Sequence, residues 1–186
     1  GEQGAIAGAS PRSVLVAVYR YLHLLGLRWV RPGRDGEYIP AVELETTSIH
    51  IAERPSYRHR GICIEGAVSY EHVRDLIDWM PKVGMNAYFV QFREGFTFFD
   101  RWYSHMGNPY RQAEGFSVEQ ARAIVTQIAS EVKLRDMLYH AVGHGWTCEP
   151  FGIAGLGWEY PPEPVPPEAQ PYLALVNGRR ELWESI

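Results

Sequence analysis

Cysteine is scarce in this chain: Cys63 and Cys148 are the only two among 186 residues. A metal cage would use more of them in close pairs, and a disulfide scaffold would be shorter and denser, so reduced thiols at strand ends are expected. Long apolar runs are missing as well. The longest stretch, Val14 to Leu27, is interrupted by Tyr19, Arg20, Tyr21 and His23, which excludes an unbroken bilayer-spanning segment, and no membrane partner is expected. Nor is there an excess of positive charge. Lys and Arg number 18 against 22 Asp and Glu, for a formal net charge of -4, and no basic block is placed to follow a phosphate backbone. No nucleic-acid partner is therefore expected. The chain opens at Gly1 without a charged segment leading into an apolar one, so no signal peptide is visible. With the native start expected to be missing, that leaves the compartment open.

What the chain does have is aromatic residues: 6 Trp, 11 Tyr and 7 Phe, many in stretches without helical or strand periodicity. Aromatics held in loops either make platforms for flat apolar faces such as sugar rings or close a core beneath long loops. Ser10 and Pro11 give a helix start and Gly26 a stop, with Val14, Val18, Leu22 and Leu25 on one face. Leu27 to Val30 reads as a short strand, Arg31 to Glu37 as a turn, and Glu43 to Ile51 as a half-exposed strand. These make a small α/β domain over residues 1–57.

From Arg60 the pattern changes. Gly61 to Gly66 reads as a buried parallel strand ending in a carboxylate, and Ser69 caps a helix whose buried stripe is Val73, Leu76, Ile77, Met80 and Val83. Pro81 must kink or end that helix. Asn86 to Arg93 reads as a second strand, Glu94 to Phe116 as a long aromatic loop, and Ser117 to Gln120 as a capping box that opens a helix. Leu138 to Val142 reads as a third strand running into His144 and Trp146, and the proline-rich stretch from Trp158 to Pro171 as an extended loop before a hairpin-like turn at Asn177-Gly178. Strand, helix, strand, helix, strand is the unit of a parallel α/β fold, shared by open doubly wound sheets and (β/α)8 barrels. The turn Glu65-Gly66-Ala67-Val68-Ser69 lacks the Gly-rich dinucleotide pattern, and no cofactor is expected.

Groups at the C-terminal ends of parallel strands converge on one pocket. Here they are Glu65, Gln91, Arg93, His140, His144 and Trp146, a carboxylate, an amide, a guanidinium, two imidazoles and an indole. Such a set suits a polyhydroxylated ligand, since polar groups bind hydroxyls and an aromatic stacks on the C–H face of a ring. Glu65 and Arg93 could equally be an ion pair between strand ends. His140 and His144 lack the Glu of a zinc-binding helix and, on a strand, would stand about 13 Å apart, so no metal is expected. No serine-nucleophile elbow occurs. Glu71, Asp75 and Asp78 read as the solvated face of their helix.

Ala5 to Ser10, the helix ending Tyr19-Arg20-Tyr21-Leu22-His23-Leu24-Leu25-Gly26, and Arg28 to Gly33 resemble the small α/β domain that precedes the barrel in bacterial α-glucuronidases and β-N-acetylhexosaminidases. Arg54 to Gly61 resembles the linker into their barrel. Asp78 to Asn86, Gly143 to Thr147 and Tyr172 to Arg180 look closest to a bacterial group of glycoside-hydrolase-like proteins with this two-domain plan. The resemblance implies that residues 58–186 are the first three βα units of a truncated (β/α)8 barrel, with the catalytic carboxylates beyond Ile186. It implies a hydrolase of glycosidic bonds in an oligosaccharide or polysaccharide, to which this chain supplies part of the sugar subsite, and His144 is the residue it assigns most directly. Glu65 stands near the place of the hexosaminidases' sugar-binding Arg, a departure from their pattern. A non-catalytic carbohydrate-binding protein on the same scaffold is the alternative.

Overall fold

In the computed structural model, which describes residues 4–42, 48–64, 68–92, 96–105, 107–144 and 167, the first helix begins where its cap dictates. The Ser10 hydroxyl accepts the N–H of Ser13 at 3.2 Å, Pro11 opens α1 (Pro11–Leu24), and the chain turns away at Gly26, whose φ of 100° favours glycine. β1 (Arg28–Trp29) then pairs antiparallel with β2 (Glu37–Tyr38) across a 3-10 turn at Arg34–Gly36. The partner strand thus comes earlier than the alternation over Glu43–Ile51 predicts. The Val30 N–H donates to the Gly36 carbonyl at 2.9 Å, which folds the ribbon back at once. Residues 48–51 are not in a strand, and 43–47 lie outside the described residues.

α2 (Tyr70–Lys82) has the expected cap, with the His72 N–H donating to the Ser69 hydroxyl at 3.2 Å, and the expected stripe, with Val73, Ile77 and Met80 buried. Full burial of a side chain such as Ile77 stabilises by roughly 1.5–3 kcal/mol. Pro81 sits in the last turn and ends the helix rather than kinking it. The Met85 N–H returns to the Met80 carbonyl at 2.9 Å and the Gly84 N–H to the Pro81 carbonyl at 3.1 Å, a Schellman closure with Gly84 at a φ of 84°.

β3 (Gly61–Cys63) runs parallel to β4 (Ala87–Phe92), with Gly61, Ile62 and Cys63 opposite Ala87, Tyr88 and Phe89. β5 (Leu138–His144) completes the sheet in the order β3-β4-β5. Its first N–H, from Leu138, donates to the carbonyl of Asn86 at 2.9 Å, so β4 and β5 start side by side. The protein is a mixed α/β fold. β3 is less buried than its apolar sequence predicts, with Gly61 and Cys63 exposed, because among the described residues it has a hydrogen-bonded neighbour on one side alone.

Two compact units share this backbone, Gly1–Phe89 with Gln127–His140 and Val90–Thr126 with Ala141–Ile186. The second contains an element that the aromatic composition disguised as loop. α3 (Phe96–Ser104) occupies the first part of the expected loop, and its Phe99 and Trp102 are buried. Spacings of three and four between Phe96, Phe99 and Tyr103 are the helical signal in that stretch. α4 (Val118–Leu134) opens on the capping box as predicted: the Gln120 N–H donates to the Ser117 hydroxyl at 3.2 Å and the Ser117 N–H to Gln120 Oε1 at 2.7 Å.

Candidate functional site

The backbone places two of the expected ligands at strand ends. Gln91 is the last residue but one of β4 and His144 the last of β5, on neighbouring strands that start together; their side chains lie outside the described set. Glu65, Arg93 and Trp146 also lie outside the described residues, as does the sequence from Gly145 onward apart from Pro167. His140 is not at a strand end. It sits in the middle of β5, in the unit of Gly1–Phe89 with Gln127–His140, whereas Gln91 and His144 belong to the other unit. Both histidines lie on one strand, as expected, and not on a helix that could aim them at one ion. Among the described residues no group of three or more His, Cys, Asp and Glu is arranged to hold a metal ion.

His140 instead lines an open concavity of about 380 Å³ over the body of the sheet, with His59, Gly61, Ile62, Cys63, Ala87 and Phe89. Strand alternation puts Cys63, Ala87 and Phe89 on this face and Tyr88 on the other. The His59 and His140 rings are 5.1 Å apart, and His140 Nε2 is buried with no hydrogen-bond partner among the described residues. His59 is held from both sides, because Asn86 Nδ2 donates to the Arg58 carbonyl at 2.8 Å and Asn86 Oδ1 accepts the Arg60 N–H at 2.8 Å. Asn86 is the buried polar residue that fixes the start of the sheet. Across the sheet Tyr88 stacks on Tyr139 with centroids 5.8 Å apart, and burial pushes the Tyr88 phenol above its ordinary range.

Asp78, expected on a solvated helix face, stands in the best-connected ion network of this unit. Its carboxylate accepts from Lys82 Nζ at 2.7 Å and Arg135 Nη2 at 2.8 Å; Lys82 also reaches Glu37 at 2.8 Å and Arg135 reaches Glu131 at 2.6 Å. Burial opposes ionisation of Asp78, but the hydrogen bonds from Lys82 and Arg135 outweigh it and hold the carboxyl below its usual range. Lys82 also lies 5.9 Å from the Trp29 ring centroid. Trp29 in turn takes the edge of Tyr19 at 5.2 Å, and its carbonyl accepts Trp79 Nε1–H at 2.8 Å. This cluster joins β1, β2, α2 and the end of α4. It reads as scaffold, since every charge in it, three carboxylates and two cations, has an opposite partner within the cluster.

In the second unit, the connection from β4 to α4 carries the aromatics that sequence spacing left unassigned. Phe96 stacks on Phe116 at 5.7 Å, Tyr103 on Phe116 at 4.6 Å, and Phe99 meets Trp102 at 4.7 Å. Residues after α3 are closed into a clasp. His105, at a φ of 48°, places Nε2 at 2.8 Å from Glu114 Oε1, Arg111 reaches the same oxygen at 2.9 Å, and the Glu114 N–H donates to the Tyr103 carbonyl at 2.8 Å. Hydrogen bonding from His105, with Arg111 adding to it, holds the Glu114 carboxyl below its usual range. Between the ends of the clasp, Asn108 Oδ1 accepts the Tyr110 N–H at 2.9 Å, and the Tyr110 side chain is exposed.

No helix among the described residues is long and apolar enough to cross a membrane. No protein family, curated protein or solved structure matches the chain.

Proposed function

We propose that this chain belongs to a carbohydrate-active hydrolase of glycosidic bonds, and that β3, β4 and β5 are the first three strands of a (β/α)8 barrel whose sugar site lies at their C-terminal ends. One observation supports the parallel α/β part of the reading, which open doubly wound sheets share. The three strands lie in the sheet in chain order, β3 runs parallel to β4, and α2 and α4 follow β3 and β4 as the barrel's repeating unit requires. In such barrels the connection after a strand builds the site. Of the two connections bounded by described elements, β3–α2 and β4–α4, the second is the longer and holds α3 and the clasped loop. Gln91 and His144 are the proposed sugar-hydroxyl ligands, joined by Arg93 and Trp146 of the same unit. The acid and base or nucleophile carboxyls come from later strands. His140 lies within β5 and lines the concavity.

The test is titration of the protein with chito-oligosaccharides and glucuronic-acid-bearing xylo-oligosaccharides, followed by isothermal calorimetry. Saturable binding that His144→Ala weakens about tenfold is expected, the loss of roughly one charge-free hydrogen bond. Absence of binding to either series, or binding that His144→Ala leaves unchanged, overturns the assignment. A binder without activity at full length would instead favour the non-catalytic reading.

A further inference from the structure

Asn86 sets His59 and His140 against each other. Its carbonyl accepts the Leu138 N–H that starts β5, and its side chain holds the Arg58 carbonyl and the Arg60 N–H on either side of His59. The Arg60 guanidinium ties the same segment to the carbonyls of Tyr57 and Gly84, both at 2.7 Å. The two imidazoles, far apart in sequence, therefore meet with ring centroids 5.1 Å apart and planes tilted by 47°. All of these residues belong to one compact unit. Packing alone does not account for the pair. His140 Nε2 is buried without a hydrogen-bond partner among the described residues, which costs about 1–3 kcal/mol whether the atom carries a proton or a lone pair. The other residues around the concavity, Gly61, Ile62, Cys63, Ala87 and Phe89, bring no carboxylate to answer it. The atom is also too enclosed for water to reach.

We propose that His59 and His140 together bind one borderline divalent metal ion, of the Zn²⁺ and Cu²⁺ class, at the concavity over the sheet. Such ions are smaller than water, favour imidazole nitrogen and take the lone pair of one ring nitrogen while the other keeps its proton. The spacing agrees. Two imidazoles on one ion, at the usual metal–nitrogen distance of about 2.0–2.1 Å and a near-tetrahedral angle, have ring centroids about 5 Å apart. The partner of His140 is thus His59, which the Asn86 hydrogen bonds bring to it, and not His144, which strand geometry keeps away. Among the described residues no third His, Cys, Asp or Glu is arranged with the two rings, so the site is not of the closed structural kind. Its remaining coordination positions open on the concavity, to water or to a small oxygen or nitrogen ligand. The site stands independently of the carbohydrate reading.

The experiment is titration of the unmodified chain with Zn²⁺, Cu²⁺ and Mg²⁺, read by calorimetry and by NMR shifts of the imidazole nitrogens. Zn²⁺ should bind saturably, Cu²⁺ more tightly, and Mg²⁺, which demands oxygen ligands, not at all. Nitrogen shifts should move in both rings, His140 Nε2 among them. His59→Ala and His140→Phe should each weaken Zn²⁺ binding by about tenfold or more, whereas His72→Ala, at an exposed histidine of α2, should leave it unchanged. His59 is exposed, so its alanine variant should melt like the unmodified chain in the absence of metal and should lose the rise in melting temperature that Zn²⁺ gives the unmodified chain. Zn²⁺ binding that survives both substitutions, shifts confined to one of the two rings, or no binding of Zn²⁺ or Cu²⁺ overturns the proposal.

Discussion

Replacing Asp78 by Asn removes a charge from the centre of the α2 network while keeping the shape of the side chain. Two charge-assisted hydrogen bonds are affected, Lys82 at 2.7 Å and Arg135 at 2.8 Å. Buried, each would contribute about 1.5–3 kcal/mol. Two features reduce that figure. The Asp78 side chain is 44% exposed, so water screens the pair. Neither cation is stranded either, because Lys82 keeps Glu37 and Arg135 keeps Glu131, and the larger penalty for an uncompensated buried charge does not apply. The expected loss is about 1–2 kcal/mol at pH 7. The pH dependence follows from the direction of the shift. The Asp78 carboxyl is held below its ordinary value of 3.8 in the folded protein, so the unfolded chain takes up the proton first, and the contribution is complete above the unfolded value and lost as pH falls through the folded one. Urea unfolding followed by tryptophan fluorescence, with Trp29 and Trp79 beside the network as reporters, should show the full difference at neutral pH and a shrinking one as pH falls below 3.8. A difference under about 0.3 kcal/mol at pH 7, or one undiminished in acid, would refute the reasoning.

Other perturbations read different parts of the fold. Ile77→Ala, at a fully buried position of α2, should lower the unfolding free energy by about 2–5 kcal/mol in the same urea assay. Ser117→Ala removes the hydroxyl that caps α4 and should lower it by about 1 kcal/mol; a loss as large as that of Ile77→Ala would mean the cap is not its chief role. Gly84→Ala places a side chain at a φ of 84° with open space around it. The expected loss is therefore backbone strain alone, about 1–2 kcal/mol, and thermal melting would register it.

The elements with local signatures were readable from the residues. Ser10-Pro11, Ser69 and Ser117 each begin a helix through a hydroxyl that meets a backbone N–H three residues on, and the stripe Val73, Ile77, Met80 is buried as its spacing requires. What depends on distant partners was not. Lys82 is the i+4 partner that the helix offers Asp78, but Arg135, which pairs with Asp78, and Glu37, which pairs with Lys82, are far away in sequence, so the helix alone gives no hint of the wider network. α3 was hidden because aromatic density reads as loop, although the spacing of Phe96, Phe99 and Tyr103 holds the helical signal. His140 and His144 look alike on one strand, yet one lines the mid-sheet concavity and the other ends the strand. His59 entered the concavity unannounced, brought there by the Asn86 hydrogen bonds on either side of it.

Backbone amide shift mapping during titration with chitotetraose or glucuronic-acid-bearing xylotetraose tests the central claim most directly, since it reports where on the fold the ligand sits. The barrel reading predicts perturbations at Gln91 and at His144, at the strand ends and in the connection that leaves β4. Perturbations gathered at His59, Cys63 and His140, over the middle of the sheet, or none at all with either sugar, would contradict it.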